Sequence, residues 1–185
     1  MSYLSLKELK KLGFKSLGKN VKISSLASIY DCEKMEIGDN SRIDDFCILS
    51  GKIQMGSNVH VTPMCLIAGG SKGVYIDDFV TLAYGVKVFS QSDDYSGETM
   101  TNSTVPKKYK NEYKKETYIN SFSIIGANSV IMPGVTVASG TAVGAMSLIL
   151  KSTNPWGIYV GSPARRIKER SSNLLSVYKQ LLKNS

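Results

Sequence analysis

The stretch IGANSVIMPGVTVASGTAVGAMSLILK, residues 125–151, decides how the chain is read. Taken in sixes, it places an aliphatic residue at Ile125, Ile131, Val137, Val143 and Ile149. Small residues recur at Gly126, Ala138 and Gly144, and again at Ser129, Thr141 and Ser147. A half-buried strand alternates with a period of two and an amphipathic helix repeats near 3.6, so neither produces a period of six. A hexapeptide period is the mark of a parallel β-helix, in which each unit supplies one short strand and one corner. Three units close a triangular coil, so residues eighteen apart stack.

The same ladder extends upstream through Ile37, Ile43, Leu49, Met55, Val61 and Ile67, slips by three residues, and resumes at Ile76, Leu82 and Val88. An earlier piece runs Leu17, Ile23, Ile29. The fifth position of each unit is small or compact, as at Val21, Ala27, Ser41, Cys47, Val59, Cys65, Val80, Val86 and Ser92, which suits a narrow interior. Units such as IGDNSR, MGSNVH and IGANSV put Gly and Asn where a corner needs positive φ.

At 185 residues, 42% hydrophobic and 21% charged, the chain has the size and composition of one soluble globular domain. No apolar run approaches the roughly 20 residues of a membrane span, and MSYLSLKELKK lacks the apolar core of a signal peptide. A cytoplasmic protein is expected. Three scattered cysteines, Cys32, Cys47 and Cys65, argue against a disulfide framework or a metal cluster and for buried free thiols. A formal charge of +8 points to an anionic partner. No aromatic-basic module for nucleic acid is present, which favours a phosphorylated small ligand.

Along the chain, residues 1–16 are expected to form a capping helix, with leucines at 4, 6, 9 and 12 and lysines opposite, because an open last coil would expose strand edges. Residues 17–151 form the β-helix. GGSKGV, residues 69–74, reads as a glycine-rich bulge or a phosphate cradle without the P-loop lysine pattern. Residues 94–124 are polar and rich in Tyr and Lys, and interrupt the ladder as a long loop, the kind of connection that is functional or disordered. Its lysines 107, 108, 110, 114 and 115 form a solvated face or a phosphate contact. Residues 152–185 give an extended tail punctuated by Pro and Gly, then a helix from Ser171 or Ser172 to Lys183 with an apolar stripe.

The ladder, the long loop, IGANSVIMPGV, GAMSLILK and the closing YVGSPARRIK together resemble the left-handed β-helix acyltransferases over residues 17–170. More narrowly the chain is similar to sugar O-acetyltransferases of the galactoside and maltose type. That resemblance implies a homotrimer with active sites in clefts between prisms, acetyl-CoA lying along the coil edges, no metal, and a histidine base that activates an acceptor hydroxyl of a sugar, as in polysaccharide or O-antigen assembly. By unit count the family histidine falls on Asp93 here, and the lone histidine is His60, beside Thr62, where relatives carry a substrate-binding asparagine.

Two catalytic assignments follow. An imidazole titrates near neutrality, so His60 of one protomer would act as base with Asp93 or Asp94 of a neighbour orienting it or binding the sugar. Asp93 could instead replace the histidine, although a carboxylate is weakly basic at pH 7. That suits an amine acceptor, such as an amino sugar nucleotide, which needs little deprotonation. Thr62, Asp94 and Tyr95 are the candidate substrate contacts. The resemblance places the cofactor on Gly126, Ala127, Gly144 and Ala145, with Lys151, Arg165 and Lys168 for the CoA phosphates and Trp156 for the adenine; Gly and Ala equally make tight corners, and Trp156 equally packs. A β-helix carbonic anhydrase needs three histidines around zinc, which one per chain does not supply. A non-catalytic binding scaffold is the remaining alternative.

Overall fold

The computed structural model describes residues 2–183. Short parallel strands stack into three flat faces of a prism, a left-handed β-helix as the hexads imply. The first face carries Ser16–Leu17, Met35–Ile37, Ile53–Met55, Val74–Ile76, Thr117–Ile119 and Thr136–Val137. The second begins at Lys22–Ile23, Arg42–Ile43, His60–Val61 and Thr81–Leu82, and continues with Ile124–Ile125 and Ala142–Val143. The third runs from Ser28–Ile29 through Ile48–Ser50, Leu66–Ala68, Lys87–Phe89 and Val130–Ile131 to Leu148–Ile149. The hexad aliphatics point inward, and Ile23, Ile43, Leu49, Val61, Ile67, Leu82, Val88, Ile125 and Ile131 have no exposed area. At roughly 1.5–3 kcal/mol for each buried aliphatic side chain, this column is the main source of stability.

Corners need left-handed backbone. Asn20, Asn40, Asn58, Phe79 and Phe122 take it at successive levels of the corner between the first and second faces. Phe79 and Phe122 stack there at 5.5 Å between centroids, and Tyr178 meets both edge-on at 5.0 and 5.1 Å. Tyr178 belongs to α2 (Leu174–Lys183), so this aromatic trio is what fastens the C-terminal helix to the prism. Val177, Leu181 and Leu182 of the same helix stay exposed. At the other end α1 (Leu6–Lys11) starts from a capping box between Ser5 and Glu8 and buries Leu9 over the first coil.

Two boundaries differ from the expectation. The ladder resumes at Thr117–Ile119, paired with Val74–Ile76, one hexad before Ile125. The polar run NSFS hides this rung: Ser123 lies inside and satisfies its hydroxyl on the Ala138 carbonyl at 3.1 Å. The tail also stays on the prism at first. Gly157–Gly161 adds a rung to the second face beside Ala142–Val143, then pairs antiparallel with Ala164–Glu169. Cys32, Cys47 and Cys65 are free and buried. Among the described residues no helix is long and apolar enough to cross a membrane.

Candidate active site

Two groups of polar side chains stand out, on different faces. On the second face Arg42 and His60 stack on neighbouring rungs, and Asp44, two residues beyond Arg42, points the same way. His60 Nε2 lies 2.9 Å from Asp44 Oδ2, Arg42 Nε donates to Asp44 Oδ1 at 2.6 Å, and the Tyr3 hydroxyl approaches Oδ1 at 3.3 Å. Burial pulls the Asp44 carboxyl upward, but hydrogen bonds and charge from Arg42 and His60 outweigh it and hold the group below the usual carboxylate range. No motif in the sequence marks Asp44; the eighteen-residue stacking of His60 on Arg42 is the signal that points to it.

The second group lies at the edge of the third face. The inserted segment folds back so that Tyr113–Lys114 pairs antiparallel with Gln91–Ser92. This return brings Glu112 to Asp93, and both line a cavity of about 380 Å³ with Ser92, Tyr95, Ser103 and Met132. Glu112 accepts from Lys114 at 2.5 Å and Lys110 at 3.3 Å, contacts that keep it ionised by lowering its pKa. Nothing in the sequence marks Glu112, because its position depends on where the insertion turns.

The other expected residues fall as follows. Asp94 is saturated: Ser96 gives its hydroxyl and amide to Oδ1, and Thr99 gives both to Oδ2. These bonds, led by the Ser96 hydroxyl, lower its pKa to about 2 and tie the side chain into the loop. Thr62 is buried and its hydroxyl donates to the Leu82 carbonyl at 2.9 Å. Tyr95 is almost fully exposed at the cavity mouth. His60 and Asp93 stand on different faces and do not meet within the chain.

Toward the C-terminus, Gly126 and Gly144 lie tight against the neighbouring coil. A Cβ on Gly126 would sit 2.5 Å from the Ala145 nitrogen, and one on Gly144 would sit 2.7 Å from Val160 Cγ1. Their amides donate to the Val143 and Tyr159 carbonyls, and the Ala127 carbonyl accepts from the Met146 amide, so these groups bond one coil to the next. Trp156 covers Gly140, where a Cβ would fall 2.5 Å from the indole, and so packs the end of the coil. Lys151 and Arg165 share a cavity of about 310 Å³ with Arg166, Leu150 and Tyr159. Lys168 lies outside it, opposite Ile158 in the tail hairpin.

The coil thus offers one edge with a carboxylate-centred cavity in the middle and a cationic cavity at its end. No family model matches the chain. It is 40% identical over 180 residues, 96% of its own length and 93% of the relative, to the dTDP-4-amino-4,6-dideoxy-D-glucose acyltransferase of Escherichia coli. The chain belongs to the hexapeptide-repeat β-helix acyltransferases. It also superposes with a TM-score of 0.97 and 43% identity, over 99% of its length and 97% of the other chain, on AntD, an N-acyltransferase from Bacillus cereus solved in complex with dTDP and 3-hydroxybutyryl-CoA. A hexapeptide-repeat acetyltransferase from Vibrio cholerae, complexed with acetyl-CoA, shares the fold alone, with a TM-score of 0.60 and 18% identity over 91% and 80% of the two chains. The hexapeptide-repeat enzyme described here is an acyltransferase that uses acyl-CoA as cosubstrate and a sugar as acceptor.

Proposed function

We propose that the enzyme transfers its acyl group to the amino group of a nucleotide-linked amino sugar, an N-acylation in place of the sugar O-acetylation first expected. The observation that supports this reading is the central cavity, whose acidic walls are Asp93 and Glu112, with Tyr95 beside them and no histidine of the same chain in its lining. A hydroxyl must lose a proton to attack a thioester at a useful rate, which calls for a base near neutrality. A neutral amine attacks unaided and needs only a group to orient it and accept the proton released. The E. coli relative is named for an amino sugar carried on dTDP, and AntD was solved with dTDP, which supports the same choice.

In this scheme Asp93 receives a hydrogen bond from the amine. The nitrogen attacks the thioester carbonyl carbon, the carbon–sulfur bond breaks, and the nitrogen's surplus proton passes to Asp93 while the thiolate leaves as CoA. Glu112, ionised between two lysines, holds the sugar. Lys151 and Arg165 meet the CoA phosphates. Asp94 shapes the loop that carries Tyr95 over the acceptor. A homotrimer completes the cleft: Leu26, Phe46, Met64, Tyr84 and Met146 project from the corner between the second and third faces and stay more than half exposed in a single chain. Both substrates are metabolites of the cytoplasm, where we place the enzyme.

A second reading keeps His60 as base. Asp44 holds one ring nitrogen and leaves Nδ1 free to accept, an orienting pair of the kind general bases use. Rates with dTDP-4-amino-4,6-dideoxyglucose, and with the same nucleotide sugar bearing a hydroxyl in place of the amine, decide the acceptor. Acylation of the amine at least a thousandfold faster is expected, and equal rates on the hydroxyl would refute N-acylation. Between the residues, Asp93→Asn should lower kcat about a hundredfold or more and His60→Ala little; the reverse order would establish the histidine.

A further inference from the structure

We propose that Lys110, which lines no cavity itself, is a positioning residue of the acceptor site and acts through Glu112. The inference rests on the acceptor lying in the central cavity, as in the reading above. Residues 110–114 read KNEYK and run extended: Lys110 has φ −120° and ψ 146°, and Tyr113–Lys114 is a strand. Along an extended chain alternate side chains share a side. Lys110, Glu112 and Lys114 therefore project together, an acid between two cations.

The strand pairing carries this run to the site. Gln91 stands opposite Lys114 and Ser92 opposite Tyr113, so one step further the antiparallel register sets Glu112 against Asp93. Glu112 thereby stands in the wall between two cavities. One is the central cavity; the other, of about 790 Å³, draws on earlier coils and carries Lys52, Lys107, Lys114 and Gly70 in its lining. A carboxylate in such a wall can turn to either side, so what fixes it decides whether the central cavity keeps its second acid.

The two lysines divide that task. Lys114 Nζ lies 2.5 Å from Oε2 and Lys110 Nζ lies 3.3 Å from Oε1, one cation on each oxygen, which leaves lone pairs on both for a ligand. Lys114 lines the larger cavity with its side chain 34% exposed, where water screens the contact and competes for it. The Lys110 side chain is 7% exposed and lines neither cavity, so a ligand in either meets Glu112 and not Lys110. An ammonium held out of water costs stability unless it is paired, and Glu112 is its one acid partner among the described residues. Lys110 and Glu112 hold each other in place. The backbone of the run has anchors of its own: the Asn111 amide donates to Thr99 Oγ1 at 3.2 Å, and the Met100 amide to the Tyr109 carbonyl at 3.0 Å.

Steady-state kinetics with dTDP-4-amino-4,6-dideoxyglucose at saturating acetyl-CoA test the assignment. Lys110→Met keeps the stem and removes the charge; it should raise the acceptor KM about tenfold and leave kcat within threefold. Lys110→Arg restores the cation and should keep KM within threefold of wild type. In a Glu112→Gln background Lys110→Met should change KM less than twofold, because its route to the ligand is gone. CoA affinity by isothermal titration should stay within twofold throughout, which shows that the variants are folded. An unchanged KM in Lys110→Met, an equal rise in both backgrounds, or an Arg variant as impaired as the Met variant would confine Lys110 to the packing of the insertion. The proposal then falls while N-acylation stands. If the wild type acylates the hydroxyl-bearing nucleotide sugar as fast as the amine, N-acylation falls, and the same cycle read on that sugar still decides Lys110.

Discussion

Replacing Asp44 by alanine puts the second-face network to the test. Its carboxylate is 3% exposed and accepts from Arg42 at 2.6 Å and His60 at 2.9 Å, with the Tyr3 hydroxyl at 3.3 Å. A hydrogen bond to a buried charge contributes roughly 1.5–3 kcal/mol. The Arg42 and His60 side chains are 41% and 39% exposed, so solvent screening brings each coupling down toward about 1 kcal/mol. Removal should therefore cost about 2 kcal/mol at pH 7, which for a domain of this size lowers Tm by roughly 4–8 °C. The folded pKa is depressed. The stabilisation is thus complete above the unfolded carboxylate value near 3.9 and disappears as pH falls through the lower folded value.

Melting curves of wild type and Asp44→Ala at equal protein concentration should stand apart at pH 7 and draw together below about pH 4. A gap of the same size at pH 7 and at pH 3 would mean that the loss is one of packing, and the ionic account would be wrong. Activity adds a second readout. Asp44→Asn keeps the shape and one acceptor oxygen, so with Asp93 as proton acceptor kcat should stay within threefold of wild type. A drop of tenfold or more together with a moved pH profile would transfer the chemistry to His60.

Gly126→Ala forces a Cβ to within 2.5 Å of the backbone of the next coil, and should cost about 1–3 kcal/mol by thermal melting. Trp156→Ala should lower Tm by several degrees while leaving CoA affinity unchanged; a tenfold rise in CoA Kd at constant Tm would return the indole to the cofactor. Asp94→Asn should raise amide hydrogen exchange at Ser96 and Thr99. In the wild type that protection, which depends on a pKa of about 2, should persist through pH 5 and fade between roughly pH 4 and pH 2.

The hexads made most of the prism readable, because a period of six is carried by side chains that never leave the interior. Every inward aliphatic from Ile37 to Val88 sits where the count puts it. The count failed where polar residues took inward places. Ser123 and Thr117 are fully or almost fully buried, each satisfied by a carbonyl, and hydropathy sees neither as part of a rung. It failed again at Gly157–Gly161, because Pro155 and the glycines read as an exit from the coil while Trp156, over Gly140, turns the chain back onto the second face.

The site was less legible for a different reason. Within the coil, sequence separation converts to space by a fixed rule, so Arg42 beneath His60 was recoverable, and Asp44 with it. The insertion obeys no such rule. Glu112 reaches Asp93 only because Tyr113–Lys114 returns antiparallel to Gln91–Ser92, a pairing between residues more than twenty apart that no period announces. The same hairpin carries Lys114 and, a turn earlier, Lys107 to the basic cavity beside Lys52 and Gly70. One excursion of the chain therefore lines both the central cavity and the lysine-rich cavity N-terminal to it. The C-terminal cavity draws nothing from it, being lined by the last coil and the tail hairpin alone, so a change in the insertion's length or turn would reshape the other two cavities and leave this one as it is.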